Sequence, residues 1–148
     1  QLIGQVVEDY QEMLQARRIA VEVDTVAASL AGDPEQLLRL LINLIDNAIK
    51  YNLAADGRIV LRTVKSNGQM VLTVANTGQT IPAADLPRIF DQFYRVEKSR
   101  SQAYGGSGLG LTIVKRIVEL HGGSIEAASQ DDWTTFTITL PDLTGQVI

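Results

Sequence analysis

Two asparagines one helical turn apart, Asn43 and Asn47, sit in the stretch D-P-E-Q-L-L-R-L-L-I-N-L-I-D-N-A-I-K-Y-N from Asp33 to Asn52. A solvated helix face is usually built from Glu, Lys, Arg and Gln, because Asn competes with its own backbone for hydrogen bonds. Paired amides at this spacing either satisfy neighbouring loops or offer neutral oxygens to a hard cation or polar ligand. Mg²⁺ takes oxygen ligands and keeps several waters, so one Asn carbonyl with phosphate oxygens would suffice as a first shell. A second stretch, Y-G-G-S-G-L-G-L from Tyr104 to Leu111, puts Gly105, Gly106, Gly108 and Gly110 at the mouth of a helix. Glycines let backbone N–H groups approach an anion, and the helix start adds partial positive charge. The segment is therefore a phosphate cradle or else a flexible linker. Its spacing is not that of a dinucleotide-binding turn, and no Gly-Lys pair follows, which removes the Rossmann and P-loop readings.

Three further groups deserve weighing against plainer roles. Asn76-Thr77-Gly78-Gln79-Thr80-Ile81-Pro82 follows a strand pattern. Asn there is most often a turn former, yet its amide could accept from and donate to a flat heterocycle. Phe90-Asp91-Gln92-Phe93-Tyr94-Arg95 reads as a short amphipathic turn sealing a loop, although the Arg95 guanidinium suits phosphate oxygens. His121, the only histidine, precedes Gly122 and Gly123 and reads as a helix C-terminal partner rather than a nucleophile. No Ser-His-Asp set, zinc spacing or catalytic carboxylate pair can be assembled.

These groups need positioning elements, and the periodicity supplies them. Asp33 as cap, Pro34 at the first helical position and Glu35 near the positive end mark a helix start. At about 100° per residue, Gln36, Asn43, Asn47 and Lys50 share one stripe, while Leu37, Leu38, Leu41, Leu44, Ile45, Ala48 and Ile49 fill the opposite arc. Apolar spacing predicts a first helix over residues 2–18, a strand over 19–23 and a short partner over 27–31. Residues 58–65 and 69–75 read as a hairpin with Ser66, Asn67 and Gly68 at its turn. Between residues 76 and 110 periodicity fades, apart from short helical turns over 83–90 and 91–94; so long a loop in one domain is functional or mobile. A helix over 109–120 and strands over 124–129 and 134–140 close the chain, with a loose tail at 141–148. Interleaved elements with hairpins in the majority predict a two-layer α+β sandwich: one mixed sheet covered on one face by about three helices.

The chain has 148 residues, 45% of them hydrophobic and 20% charged, with a net charge of −4 and no cysteine. That is the size and balance of a single globular domain, not a disordered tail. Disulfides and thiolate metal sites are excluded. Arg95, Lys98 and Arg100 form only a local basic cluster, so nothing indicates a nucleic-acid footprint. No apolar run approaches the roughly 18 residues of a membrane span. An anchor, if the natural protein has one, lies outside this stretch.

Together N-L-I-D-N-A-I-K-Y, N-T-G-Q-T, R-I-F-D-Q-F-Y-R and G-S-G-L-G-L, in this order, resemble the four boxes of the catalytic and ATP-binding domain of sensor histidine kinases. That domain belongs to the wider ATPase superfamily shared with gyrase, Hsp90 and MutL. F-Y-R-V-E-K-S-R is similar to the heavy-metal (copper and silver) sensor subgroup. The resemblance implies a Bergerat ATP-binding fold of about five mostly antiparallel strands with a mobile lid over residues 96–107. It implies Asn47 as ligand to Mg²⁺, Asn43 and Lys50 on the phosphates, and Tyr51 beside the nucleoside. Arg95 and the backbone from Gly106 through Ser107, Gly108 and Leu109 to Gly110 would hold the triphosphate. Asn76, Gly78, Ile81, Phe93 and Leu111 would complete the nucleotide site, with Asn43, Lys50 and Arg95 closest to the chemistry. Where hydrolysing cousins carry a Glu to orient water, this chain has Asn43, so phosphoryl transfer to a protein acceptor is expected over hydrolysis.

The implied partners are ATP, a dimerisation domain bearing the phosphoacceptor histidine, and a response regulator, with no nucleic acid. Residues 1–10 read as the trailing edge of that dimerisation domain. The implied setting is the cytoplasmic side of a bacterial inner membrane. Two residues depart from the family: Asn76 stands where Asp is usual, losing charge assistance to an adenine amino group, and Trp133 stands where Gly is common. Two other readings remain, a nucleotide-binding regulatory module without transfer and a serine kinase of the anti-sigma type.

Overall fold

In chain order the computed structural model runs α1 (Leu2–Asp9), α2 (Gln11–Ala16), β1 (Ile19–Asp24), β2 (Ser29–Leu30), α3 (Pro34–Lys50), β3 (Gly57–Ser66) and β4 (Gln69–Thr77). A 3₁₀ turn (Leu86–Arg88), α4 (Gly110–Leu120), β5 (Ser124–Gln130), β6 (Trp133–Pro141) and β7 (Gln146–Val147) follow. The structure describes residues 2–26, 29–30, 32–91, 94, 110–141 and 146–147.

The signals that predict α3 operate as physical chemistry requires. The Asp33 carboxylate accepts from the Glu35 N–H at 2.9 Å, Pro34 occupies the first turn, and the Tyr51 N–H closes the far end on the Asn47 carbonyl at 3.1 Å. Leu37, Leu40, Leu41, Leu44, Ile45, Ala48 and Ile49 are buried; the apolar arc read from the sequence gains Leu40, while Leu38 is only half-buried at its edge. This arc packs on one face of a five-stranded sheet ordered β1-β3-β4-β6-β5. β1 lies parallel to β3; the other neighbours are antiparallel. Along β3, β4 and β6, Ile59, Leu61, Met70, Leu72, Val74, Phe136, Ile138 and Leu140 alternate into the core with Val114, Ile117 and Val118 of α4. Period-two burial in the strands and a helical stripe opposite give the two-layer α+β sandwich.

The predicted first helix is two. It breaks at Tyr10, whose backbone leaves the helical region (φ −97°, ψ 5°) while its N–H bonds the carbonyls of both Val6 and Val7 at 3.2 Å. The break lets α1 bury Ile3, Val6 and Val7 against α3 while α2 turns Leu14 toward β1. The hairpin turn is also tighter than predicted: Ser66 pairs with Gln69, leaving Asn67 and Gly68 at φ 50° and 74° as a two-residue turn. Positive φ at both central positions matches the strand twist, and Asn-Gly is the favoured pair for it. A second such turn joins β5 to β6 through Asp131 and Asp132, at φ 53° and 62°. The tail, expected to be loose, places Gln146–Val147 antiparallel to Ser29–Leu30.

Candidate functional site

The C-terminal end of α3 meets the end of β4 and the start of β3 through two close approaches that only glycine permits. A Cβ on Gly78 would lie 2.3 Å from the Tyr51 carbonyl oxygen, so the backbone after β4 rests directly on the cap of α3. A Cβ on Gly57 would lie 2.0 Å from Asn52 Oδ1. Asn52 is fully buried, and its amide is saturated. Nδ2 donates to the carbonyls of Ala48 and Arg58, both at 3.1 Å, and Oδ1 accepts from the Leu53 N–H at 2.8 Å and Thr77 Oγ1 at 2.7 Å. One side chain thus ties the last turn of α3 to the start of β3 and the end of β4. Asn52 stands out in the sequence only as an Asn where a helix stops; its tertiary partners leave no local signal.

Asn76 lies on the core face of β4 and is 4% exposed. Its Nδ2 donates to the Thr77 carbonyl at 2.9 Å. A carbonyl only accepts, so this contact fixes the amide orientation and leaves Oδ1 as the acceptor end. The Gly78 N–H donates to the Asp132 carbonyl at 2.9 Å, and the Ile81 N–H donates to Ser129 Oγ at 2.8 Å. Asn76, Gly78, Tyr51 and Ile81 are thereby brought into one corner of the fold.

The polar stripe of α3 continues from that corner. Gln36, Asn43, Asn47 and Lys50 are all half-buried, unlike the exposed Glu35, Arg39 and Ile42 beside them. A plain solvated face would leave them open. Asn43 Nδ2 is enclosed and has no hydrogen-bond partner among the described residues, although an enclosed donor without a partner carries a desolvation cost of about 1–3 kcal/mol. Lys50 Nζ rests on Asp46 Oδ2 at 2.9 Å, one turn back on the same helix. Arg17 Nη1 donates to the Ile49 carbonyl, adding positive charge where the α3 dipole is negative. Burial first, then the Asp46 carboxylate, holds the Tyr10 phenol above its ordinary pKa.

Beside α3 packs α4, at whose first residue, Gly110, a Cβ would meet none of the described residues within 4 Å. Leu111 is half-buried against the core, and Thr112 Oγ1 donates to the Phe90 carbonyl at 2.9 Å while Lys115 Nζ lies 5.7 Å above the Phe90 ring. Tyr94 donates its hydroxyl to Asp85 Oδ1, and that bond, ahead of burial, raises the phenol pKa. Phe93, Arg95, Gly106, Ser107, Gly108 and Leu109, with the lid expected over 96–107, lie outside the described residues.

His121 acts at the helix end, as its place before two glycines suggests. Nδ1 lies 2.8 Å from the Ile117 carbonyl, and Nε2 accepts from the Asp33 N–H at 3.3 Å, joining the end of α4 to the start of α3. Trp133, a bulky residue at an unusual position, stacks under the Arg58 guanidinium at 5.5 Å across the end of the sheet. Among the described residues no cluster of three His, Asp or Glu could hold a metal. A cation here would depend on amide and ligand oxygens, a donor set that suits Mg²⁺ rather than a soft or imidazole-bound ion. No helix among the described residues is long and apolar enough to cross a membrane.

Known proteins resemble this chain in sequence and fold. The chain is 37% identical over 139 residues to the sensor histidine kinase CusS of Escherichia coli (strain K12), covering 94% of this chain and 29% of that one. It is 32% identical over 142 residues to the sensor protein CutS of Streptomyces coelicolor, covering 95% and 34%. It therefore spans about a third of the length of these relatives. Among solved structures, the catalytic domain of histidine kinase ThkA superposes with a TM-score of 0.81 at 26% identity, over 95% of this chain and 90% of that one. The mycobacterial sensor histidine kinase MprB gives 0.77 at 31%, over 94% and 93%. Residues 32–144, from the start of α3 past the end of β6, match the family described as "Histidine kinase-, DNA gyrase B-, and HSP90-like ATPase", and to that family this chain belongs.

Proposed function

We propose that this chain is the ATP-binding catalytic domain of a sensor histidine kinase, binding Mg·ATP and passing its γ-phosphoryl group to a histidine on a separate dimerisation domain. The observation that carries the reading is the half-buried amide stripe of α3, with its enclosed and unpartnered Asn43 Nδ2, leading into the corner where Gly78 rests on Tyr51. Such a stripe fits a ligand better than water.

In this reading Asn76 Oδ1 accepts from the adenine amino group, and Gly78 and Ile81 line the base. Tyr51 flanks the nucleoside. Asn43 and Lys50 reach the phosphates, with Arg95 and the backbone from Gly106 to Leu111 on the same anionic end. Asn47 supplies an amide oxygen to Mg²⁺, which when bound neutralises phosphate charge. Phe93 completes the proposed set. With no carboxylate at position 43, the chain's own groups position and neutralise rather than activate water, and positioning supplies most of the rate in phosphoryl transfer.

ThkA, a structural neighbour at 25% identity, is known in complex with the response regulator protein TrrA. We extend the same class of partner to the full protein here, and place this domain on the cytoplasmic side of a membrane-anchored sensor. Mixing the chain with its acceptor domain, Mg²⁺ and γ-labelled ATP tests the function. Acid-labile phosphate on the acceptor supports it. Tight Mg·ATP binding without transfer would make the chain a regulatory module, and acid-stable phosphate a serine kinase.

A further inference from the structure

The segment that would read the base does not hold itself in place. Gln79 is exposed and Thr80 and Ile81 half-buried, in a stretch without regular secondary structure. Its anchors come from the β5–β6 hairpin, far away in sequence. Ser129 Oγ accepts the Ile81 N–H at 2.8 Å and lies 2.8 Å from Thr134 Oγ1, a buried hydroxyl. A hydroxyl that accepts at its oxygen still has a proton to give, so Ser129 can receive Ile81 and donate to Thr134 at once. One turn further, the Asp132 N–H donates to Thr80 Oγ1 at 2.8 Å, and Thr80 Oγ1 donates back to Asp132 Oδ1 at 3.3 Å. The Asp132 carbonyl accepts from the Gly78 N–H at 2.9 Å. The left-handed backbone of Asp131 and Asp132 turns both polar groups of residue 132 toward this segment.

We propose that Ser129 and Thr80 are positioning residues for base recognition: through the Ile81 N–H and through Asp132 they fix residues 78–81, which follow Asn76 at the end of β4, against the hairpin, and so set how tightly and how selectively the base is held. This rests on the reading that residues 76–81 face adenine. Neither residue touches the phosphates, so their influence is confined to the base end. Removing the Ser129 hydroxyl leaves the Ile81 N–H and the Thr134 hydroxyl without their partner, and the segment moves off the position that sets Ile81 beside Asn76, which the sheet still holds.

The test measures equilibrium dissociation constants of the 148-residue chain for adenosine, Mg·ATP and Mg·GTP, with thermal unfolding of each variant alongside. Ser129→Ala is expected to weaken adenosine and ATP by the same factor, about tenfold, and to narrow the preference for ATP over GTP. Ser129→Thr, which keeps the hydroxyl, restores both. Thr80→Val repeats the pattern at about threefold, and decides the matter alone if Ser129→Ala no longer unfolds cooperatively. A merely structural role would lower the melting temperature without narrowing base selectivity. Unchanged adenosine affinity in these variants, or a loss confined to ATP, overturns the proposal. Asn76→Ala is the separate control: if it too leaves adenosine binding untouched, the base-end reading itself falls.

Discussion

The two ends of the proposed nucleotide site are built on opposite terms. At the base end the structure ties down everything around one open acceptor, Asn76 Oδ1: Asn52 makes four hydrogen bonds, Asn76 Nδ2 is held by Thr77, and the backbone of Gly78 and Ile81 is tied to the β5–β6 hairpin. At the phosphate end Asn43 Nδ2 has no partner among the described residues, Lys50 leans on a neighbour of its own helix, and a Cβ on Gly110 would meet none of the described residues within 4 Å. A flat base is recognised by geometry, which demands groups that cannot move. A triphosphate is recognised by charge, which demands groups able to exchange partners when it arrives. Under the proposed function, the fold would devote buried amides to the first and half-buried, replaceable contacts to the second.

The contrast breaks most completely at Asn52. Asn52→Ala is expected to destabilise the chain by about 3 kcal/mol or more, since it strips partners from several enclosed groups at once. For a domain of this size that is a fall in melting temperature of roughly 10 °C, read by calorimetry. Nucleotide affinity should fall with it, because the same side chain joins α3 to β4. A melting temperature within a degree or two of the parent would mean that the base end is not rigid by virtue of this amide.

Asn47→Ala should do the reverse, sparing the fold and removing function. Asn47 is half-buried on the polar stripe, away from the apolar arc, so its loss opens no core cavity. The part of ATP affinity that depends on magnesium is expected to vanish, while magnesium-free binding and the unliganded melting temperature stay put. Titrations with and without Mg²⁺ separate these terms, and retained magnesium dependence removes Asn47 from the metal.

Much of this division was legible in the sequence, and the reason is locality. The α3 cap, its apolar arc and the amide stripe are patterns within one helix, and Asn67-Gly68 is a turn written in two letters. What escaped depends on partners distant in the chain. Ser129 and Ile81 are 48 residues apart and Asn52 and Thr77 are 25, with nothing in their own neighbourhoods to announce the bond. The Asp131-Asp132 turn escaped because it reaches positive φ without glycine, and the break at Tyr10 because α1 and α2 share an apolar spacing that one helix would satisfy equally. Paired two-residue strands such as Ser29–Leu30 and Gln146–Val147 are too short to carry a periodicity.

Asn76→Asp sharpens the comparison from inside the base end. A carboxylate would bring charge assistance to an adenine amino group, so adenine nucleotide affinity is expected to rise several-fold. The same change turns an oxygen toward the Thr77 carbonyl in place of a donor, in a position 4% exposed, so the unliganded chain should lose about 1–2 kcal/mol. Calorimetric titration and unliganded melting, taken together, check both signs. Tighter binding with no loss of stability would mean that the Thr77 contact does not hold the amide.

The smallest expected effect lies at the phosphate end, in the pairing of Lys50 with Asp46. Both side chains are 33% exposed, and a partly exposed acid–base pair one helical turn apart contributes only about 0.3–0.5 kcal/mol. If phosphate binding requires Lys50 to leave that carboxylate, Asp46→Asn removes the competition and ATP affinity should improve about twofold, with adenosine affinity unchanged. Raising the salt concentration should erase the gain, because it screens a pair this open to water. Lys50→Met sets the scale: it should weaken ATP and leave adenosine alone. A gain in ATP affinity from Asp46→Asn that persists in the Lys50→Met background would trace to the lost negative charge rather than to a released lysine, and the phosphate end would then be less exchangeable than its contacts suggest.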